Sequence, residues 1–193
     1  MNLESIVKGY LTNAIADKLA TKLGIAPATA RSLVNKAVPL FLGSMAKNAG
    51  QDQSAAEGLF GAITKDHDGS IFANLEDVIA NPKNAKGDKI LSHVFGSNEG
   101  NIEKALAASE GVDTAQAKDL MQSLAPMVMG ALGKEQSEKH LEADHLSKMF
   151  AEEQRQVQAQ KANNPLLSLI DKEGDGVADD LLNMGMSFLK NRR

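Results

Sequence analysis

Apolar side chains recur at three- and four-residue spacing from the start of the chain. Leu3, Ile6, Val7, Tyr10, Leu11, Ile15 and Leu19 predict one amphipathic helix over 3–23. Gly24 stands where a left-handed C-cap is needed. Pro27 then suits the first turn of a second helix, running to about Lys47. Further along, 58–63, 71–79, 90–95 and 102–108 read as short helices, and a longer one starts at Asp113 or Thr114 as N-cap. A sparsely apolar helix is expected over 137–161, with 152–162 largely solvated, until Pro165 breaks it. A last helix is predicted over 177–189, with Val177, Leu181, Met184 and Phe188 on one stripe. Strand-length runs of β-branched residues are absent, so the expected fold class is all-α with essentially no sheet.

The pattern repeats. From Gly24 and from Gly111 the chain runs in register, 87 positions apart, through Leu33/Leu120, Pro39/Pro126, Gly43/Gly130 and Lys47/Lys134. A second pair of blocks, 59–69 and 166–176, matches at an offset of 107 and ends in an Asp-Gly loop each time. The larger offset reflects a polar insertion at about 137–163 in the second copy. Repeated blocks in one order constrain architecture more than any single motif. The expectation is two related multi-helix units packed together. The first covers 1–80, a polar, breaker-rich linker covers 81–89, and the second unit covers 90–193 and ends in an acidic loop and helix. Pro39 and Pro126 sit inside helical patterns, so each is expected to kink or break its helix. Gly43 and Gly130 are expected to admit close packing.

Composition narrows the function classes. There is no cysteine, which excludes disulfides, thiol nucleophiles and cysteine-based metal sites. The net charge of −4 argues against general nucleic-acid affinity, which needs a basic face. No signal-peptide pattern and no membrane-spanning apolar run stand in the sequence, so a soluble cytoplasmic protein is expected. His140 and His145 are five apart and do not form a helical zinc pair. No phosphate loop, nucleophile elbow or paired-carboxylate arrangement is present, so no catalytic residue and no enzyme is expected.

The one motif with chemistry is acidic. Asp171, Glu173, Asp175 and Asp179, with Gly176 at the sixth loop position, follow the alternating-oxygen pattern of an EF-hand loop, but Leu182 stands where a bidentate Glu belongs. The two readings are a Ca2+ site and an acidic helix N-terminus, of which the cap is the simpler. Asp66 and Asp68 in the first loop offer fewer oxygens, and there too the cap is favoured. Methionines cluster in the second unit, among them Met121, Met127 and Met129, either as core filler or as an adaptable groove.

Four segments carry a family resemblance. They are 65–70 (KDHDGS), 90–96 (ILSHVFG), 124–130 (LAPMVMG) and the acidic loop from Asp171 to Leu182. In that order the chain resembles the bacterial YidB-like family, domain of unknown function 937, over about 3–189. The resemblance implies a compact, homeodomain-like all-α fold in a bacterial, cytosolic protein, and brings no activity or cofactor. Thr64 and Asn74 depart from its pattern where a more acidic loop is expected. The functional expectation is a non-enzymatic interaction or scaffold protein, self-associating or binding a protein partner. A weak Ca2+-responsive module and a nucleic-acid-binding helical domain are the alternatives.

Overall fold

The computed structural model describes residues 2–171. Every regular element among them is helical: α1 (Leu3–Tyr10), α2 (Asn13–Leu23), α3 (Pro27–Ala49), α4 (Gln53–Gly61), α5 (Leu75–Ala80), α6 (Gly87–Phe95), α7 (Glu99–Glu110), α8 (Thr114–Lys139) and α9 (Ala143–Gln160). A π-helical turn (Ala62–Asp66) and 3-10 turns (Ser70–Asn74, Gly96–Asn98 and Pro165–Asp171) join or close them. The helix predicted over 177–189 lies outside the described residues.

The layout follows from two helices that are too apolar for one buried face. Every residue from Ala37 to Ala46 in α3, and from Leu120 to Gly133 in α8, is buried. A helix apolar all round must be covered all round. The two pack against each other, α1, α6 and α7 touch both, and α2 and α9 lie along α3. Phe41 of α3 meets Phe95 of α6 with ring centroids 4.9 Å apart in a tilted geometry. Met121 and Met127 are fully buried and fill the core, and Met129 is buried beside them.

Several boundaries differ from expectation. The helix predicted over 3–23 is two helices, because Leu11 and Thr12 leave helical geometry, with Thr12 extended at φ −66° and ψ 164°. The break lets α1 turn its apolar stripe towards α8 while α2 packs on α3. Pro39 and Pro126 break nothing, and α3 and α8 run on through both. Burial on every side outweighs the hydrogen bond each proline removes. The helix expected over 71–79 is a 3-10 turn followed by α5. The helix expected over 137–161 is interrupted at His140, which takes a left-handed conformation (φ 50°) and ends α8. Half of α9 expected to be solvated buries Glu153 and Val157. The predicted linker 81–89 holds a turn and then the first residues of α6, with Gly87 buried.

Residues 87 apart adopt matching local geometry. Gly24 and Gly111 both end a helix in the left-handed region, at φ 65° and φ 68°. The next amides, of Ile25 and Val112, donate to the carbonyls of Ala20 and Ala107, each at 3.1 Å. The same offset aligns α1 with α6 and α2 with α7, matching the buried positions Val7/Val94, Ile15/Ile102 and Leu19/Leu106. The glycines of the long helices take side chains and main chain from the second pair of blocks. A Cβ on Gly43 would lie 2.6 Å from Ile170, and one on Gly130 would lie 2.5 Å from Ile71.

The tightest approach is at Gly133, where a Cβ would sit 1.5 Å from the carbonyl oxygen of His67 and 2.8 Å from that of Ile63. Main chain cannot step aside as a side chain can. Gly133→Ala is therefore expected to cost about 3 kcal/mol or more in denaturant unfolding. Gly100→Ala, with nothing within 4 Å of the new carbon, is expected to be neutral or to stabilise by up to ~1 kcal/mol.

A second prediction concerns pH. The Glu153 carboxylate is buried under α1, and its Oε2 has no hydrogen-bond partner among the described residues. Burial, and then the charge of Glu4, push its pKa up from 4.5 to about 7, opposed only in part by a hydrogen bond from the Glu4 main chain and by the charge of Lys8. The folded chain thus keeps this proton to higher pH than the unfolded chain does. The stability tied to it is full below pH 4.5 and is lost as pH rises to about 7, by roughly 3 kcal/mol. Glu153→Gln is expected to flatten that slope in unfolding experiments across pH 4.5–8, and an unchanged slope would refute the assignment.

Candidate binding groove

Between α3, α4, α6 and α8 lies a groove enclosing about 500 Å3, inside the roughly 300–1,000 Å3 of small recognition sites. Its floor is Met45 of α3 and Met129 of α8. One wall is α4 with the turn after it, through Ala55, Gly58, Leu59 and Ala62. The opposite wall is α6, through Ile90 and Val94. Asn48 ties the α3 floor to the α6 wall, donating from Nδ2 to the carbonyls of His93 (3.2 Å) and Val94 (3.1 Å) at the end of α6.

The α4 wall is lightly held. Asp52 caps it, accepting from the Ala55 amide at 2.8 Å. No residue of α4 is buried, whereas each of the other α-helices buries at least two. Its Leu59 and Phe60 only half cover the core. A helix that buries so little opens at low cost.

The polar part of the lining is cationic or neutral. Among the described residues Lys86, Lys89, His67 and His93 reach it and no carboxylate does, in a chain with more acids than bases. Burial lowers the His67 pKa and keeps its ring neutral at pH 7. His93 Nδ1 lies 2.9 Å from the Lys89 carbonyl oxygen on its own helix. The fixed charges are therefore the two lysines, which form no ion pair among the described residues.

Lys86 is also conformationally unusual. At φ 59° and ψ 26° it holds a left-handed backbone that favours glycine, and it starts α6 without a side-chain cap. Its neighbour cannot relieve it, because Gly87 lies so near α8 that a Cβ would be 2.1 Å from the Gln122 carbonyl oxygen. Strain of this kind is tolerated where the surroundings impose it, and it concentrates at working sites.

A family model described as "Bacterial protein of unknown function (DUF937)" matches residues 5–135. The chain belongs to this family. Every residue lining the groove lies inside the family's matched stretch. No curated protein and no solved structure matches the chain.

The acidic residues singled out in the sequence fall elsewhere. Asp68 Oδ1 accepts from the Ser70 amide at 2.9 Å, the Ser70 hydroxyl and then this amide lower its pKa, and Asp66 ends the π-helical turn. Asp68 thus closes a local turn, and the 3-10 turn that follows Gly69 starts without a side-chain cap bond. Burial pushes the Asp171 carboxyl up, but its contacts with Lys161 and Gln158 leave the pKa lowered. Glu173, Asp175 and Asp179 lie outside the described residues. Among the described residues, no three His, Asp or Glu side chains gather as metal ligands would, and no helix is long and apolar enough to cross a membrane.

Sequence reasoning offered Met129 as a groove residue but missed the groove's other lining. Lys86 and Lys89 sit in or beside the predicted linker, and Leu59 and Met129 belong to different blocks. Only the absence of acids over 82–87, beside strongly mixed charge elsewhere, was there to be noticed. Lys86→Gly is expected to raise stability by up to about 1 kcal/mol in chemical denaturation, because glycine accepts this backbone freely.

Proposed function

We propose that this member of the family is a non-enzymatic helical interaction protein, and that the groove over Met45 and Met129 is its docking face. The supporting observation is an apolar cleft of about 500 Å3, walled on one side by a helix that buries none of its own residues. Helices that carry anchors at i, i+3, i+4 and i+7 dock in clefts of this kind. Self-association, expected from the sequence, is proposed beside it and is not assigned to the groove. We further infer that the fold arose by duplication, with the 87-residue offset relating α1–α3 to α6–α8. The paired left-handed caps at Gly24 and Gly111 support that reading.

The test is to pan a displayed library of twelve-residue peptides against the wild-type protein, with counter-selection on Leu59→Asp. Enrichment of sequences with apolar residues at helical spacing, lost on the variant, is the expected result. Absence of any enrichment would overturn the groove as a docking face. Light scattering over a concentration series tests self-association, and a constant monomer mass would remove that part.

A further inference from the structure

Resting on the reading of the groove as a docking face, we infer that its occupant is an acidic amphipathic helix about two turns long, supplied by a different protein. Lys86 and Lys89 are the residues that select it. Three observations lead there. The groove follows α6 from Lys86 to Val94, eight residues or about 12 Å at 1.5 Å per residue. That length matches a helix presenting anchors from i to i+7. Its volume of about 500 Å3 takes a few apolar side chains.

The charge sets the sign of the partner. Among the described residues, the only fixed charges on the lining are the Lys86 and Lys89 ammonium groups at the amino end of α6, with no carboxylate beside them on the lining. An apolar segment that brings its own carboxylate beside the stripe satisfies them. One that brings a lysine is repelled. The strained backbone of Lys86 is a second mark of selection, since glycine would fit that position with less strain.

A second copy of this chain is the poorer occupant. Each described α-helix other than α4 already turns buried residues into its own core. α4 carries one acid, Glu57, and is itself a wall of the groove. Among its described residues a folded copy thus has no unspent acidic amphipathic helix. The acidic segment 172–189 lies outside them, so the full-chain variant D175N/D179N is tested as well.

The experiment uses the full chain and three fluorescent helical peptides with one apolar stripe, differing only in flanking residues: Glu, Gln or Lys. Binding is read by anisotropy at 20 mM and 500 mM salt. A favourable exposed pair is worth up to roughly fivefold, so the Glu peptide should bind about tenfold more tightly than the Gln peptide at low salt. The Lys peptide should bind more weakly still, and the differences should shrink at high salt. The double variant K86E/K89E should reverse the order. Lys86→Gly should lose part of the preference, with folding checked by its circular dichroism and melting temperature. Equal binding of all three peptides, or an order unchanged in K86E/K89E, would overturn the inference while leaving the docking face intact. No binding of any peptide would overturn both. Tighter binding of the Glu peptide to D175N/D179N would make the chain's own segment the occupant and overturn the inference. Decanoate and decanol serve as further probes. If decanoate displaces nothing, or only as weakly as decanol, the helical occupant stands. If decanoate binds more tightly than the Glu peptide, the occupant is a small amphiphilic anion and the inference fails.

Discussion

The structure depends on the burial of two long helices, α3 and α8, which are apolar around their whole circumference in the middle. Neither can be stable alone in water, and their mutual contact covers only one side of each. The remaining helices are the cover. α1, α6 and α7 close the sides, and α9 with the 3-10 turn at 165–171 closes α3. Where that cover is tight it is tight at the level of main chain, as at Gly133 under the carbonyl of His67 and Gly87 over the carbonyl of Gln122. Where it is loose, at α4, a groove remains.

The groove's electrostatics follow from the same packing. Gly87 must approach α8 closely, so the turn before it is pinned, and Lys86 is left in a left-handed conformation at the groove's edge. The lysine is thus positioned by main-chain contact rather than by a charge partner. Other charged groups in the molecule are placed differently. Arg31 meets Asp17 through paired hydrogen bonds of 2.9 and 2.8 Å, and Lys18 reaches Glu76 at 2.5 Å, both on exposed surface where such pairs add little. Buried Glu153 is the opposite case, a carboxylate under α1 that favours its protonated form as pH falls.

Part of this was legible in the residues. The helical period, the glycine caps at 24 and 111 and the proline opening α3 depend on neighbours a few positions away, and they stand where the spacing puts them. The break at Leu11–Thr12, the continuity through Pro39 and Pro126 and the interruption at His140 were not legible. Each is decided by what the helix packs against, and burial there outweighs local preference. The repeat was visible only from Gly24 onward. Between α1 and α6 the 87-residue offset matches buried Val7 with buried Val94 but sets buried Ile6 against exposed His93, so the correspondence there is weak.

By itself, then, the sequence determined the all-helical class, the family and the local punctuation of the helices, because period, caps and breakers act over one or two turns. Tertiary structure decided the groove. Met45, Leu59, the α6 pair Lys86 and Ile90, and Met129 come from four separate stretches of chain, and no spacing rule links those stretches. They meet because α3 and α8 must be buried together, and because α4 covers that pair incompletely.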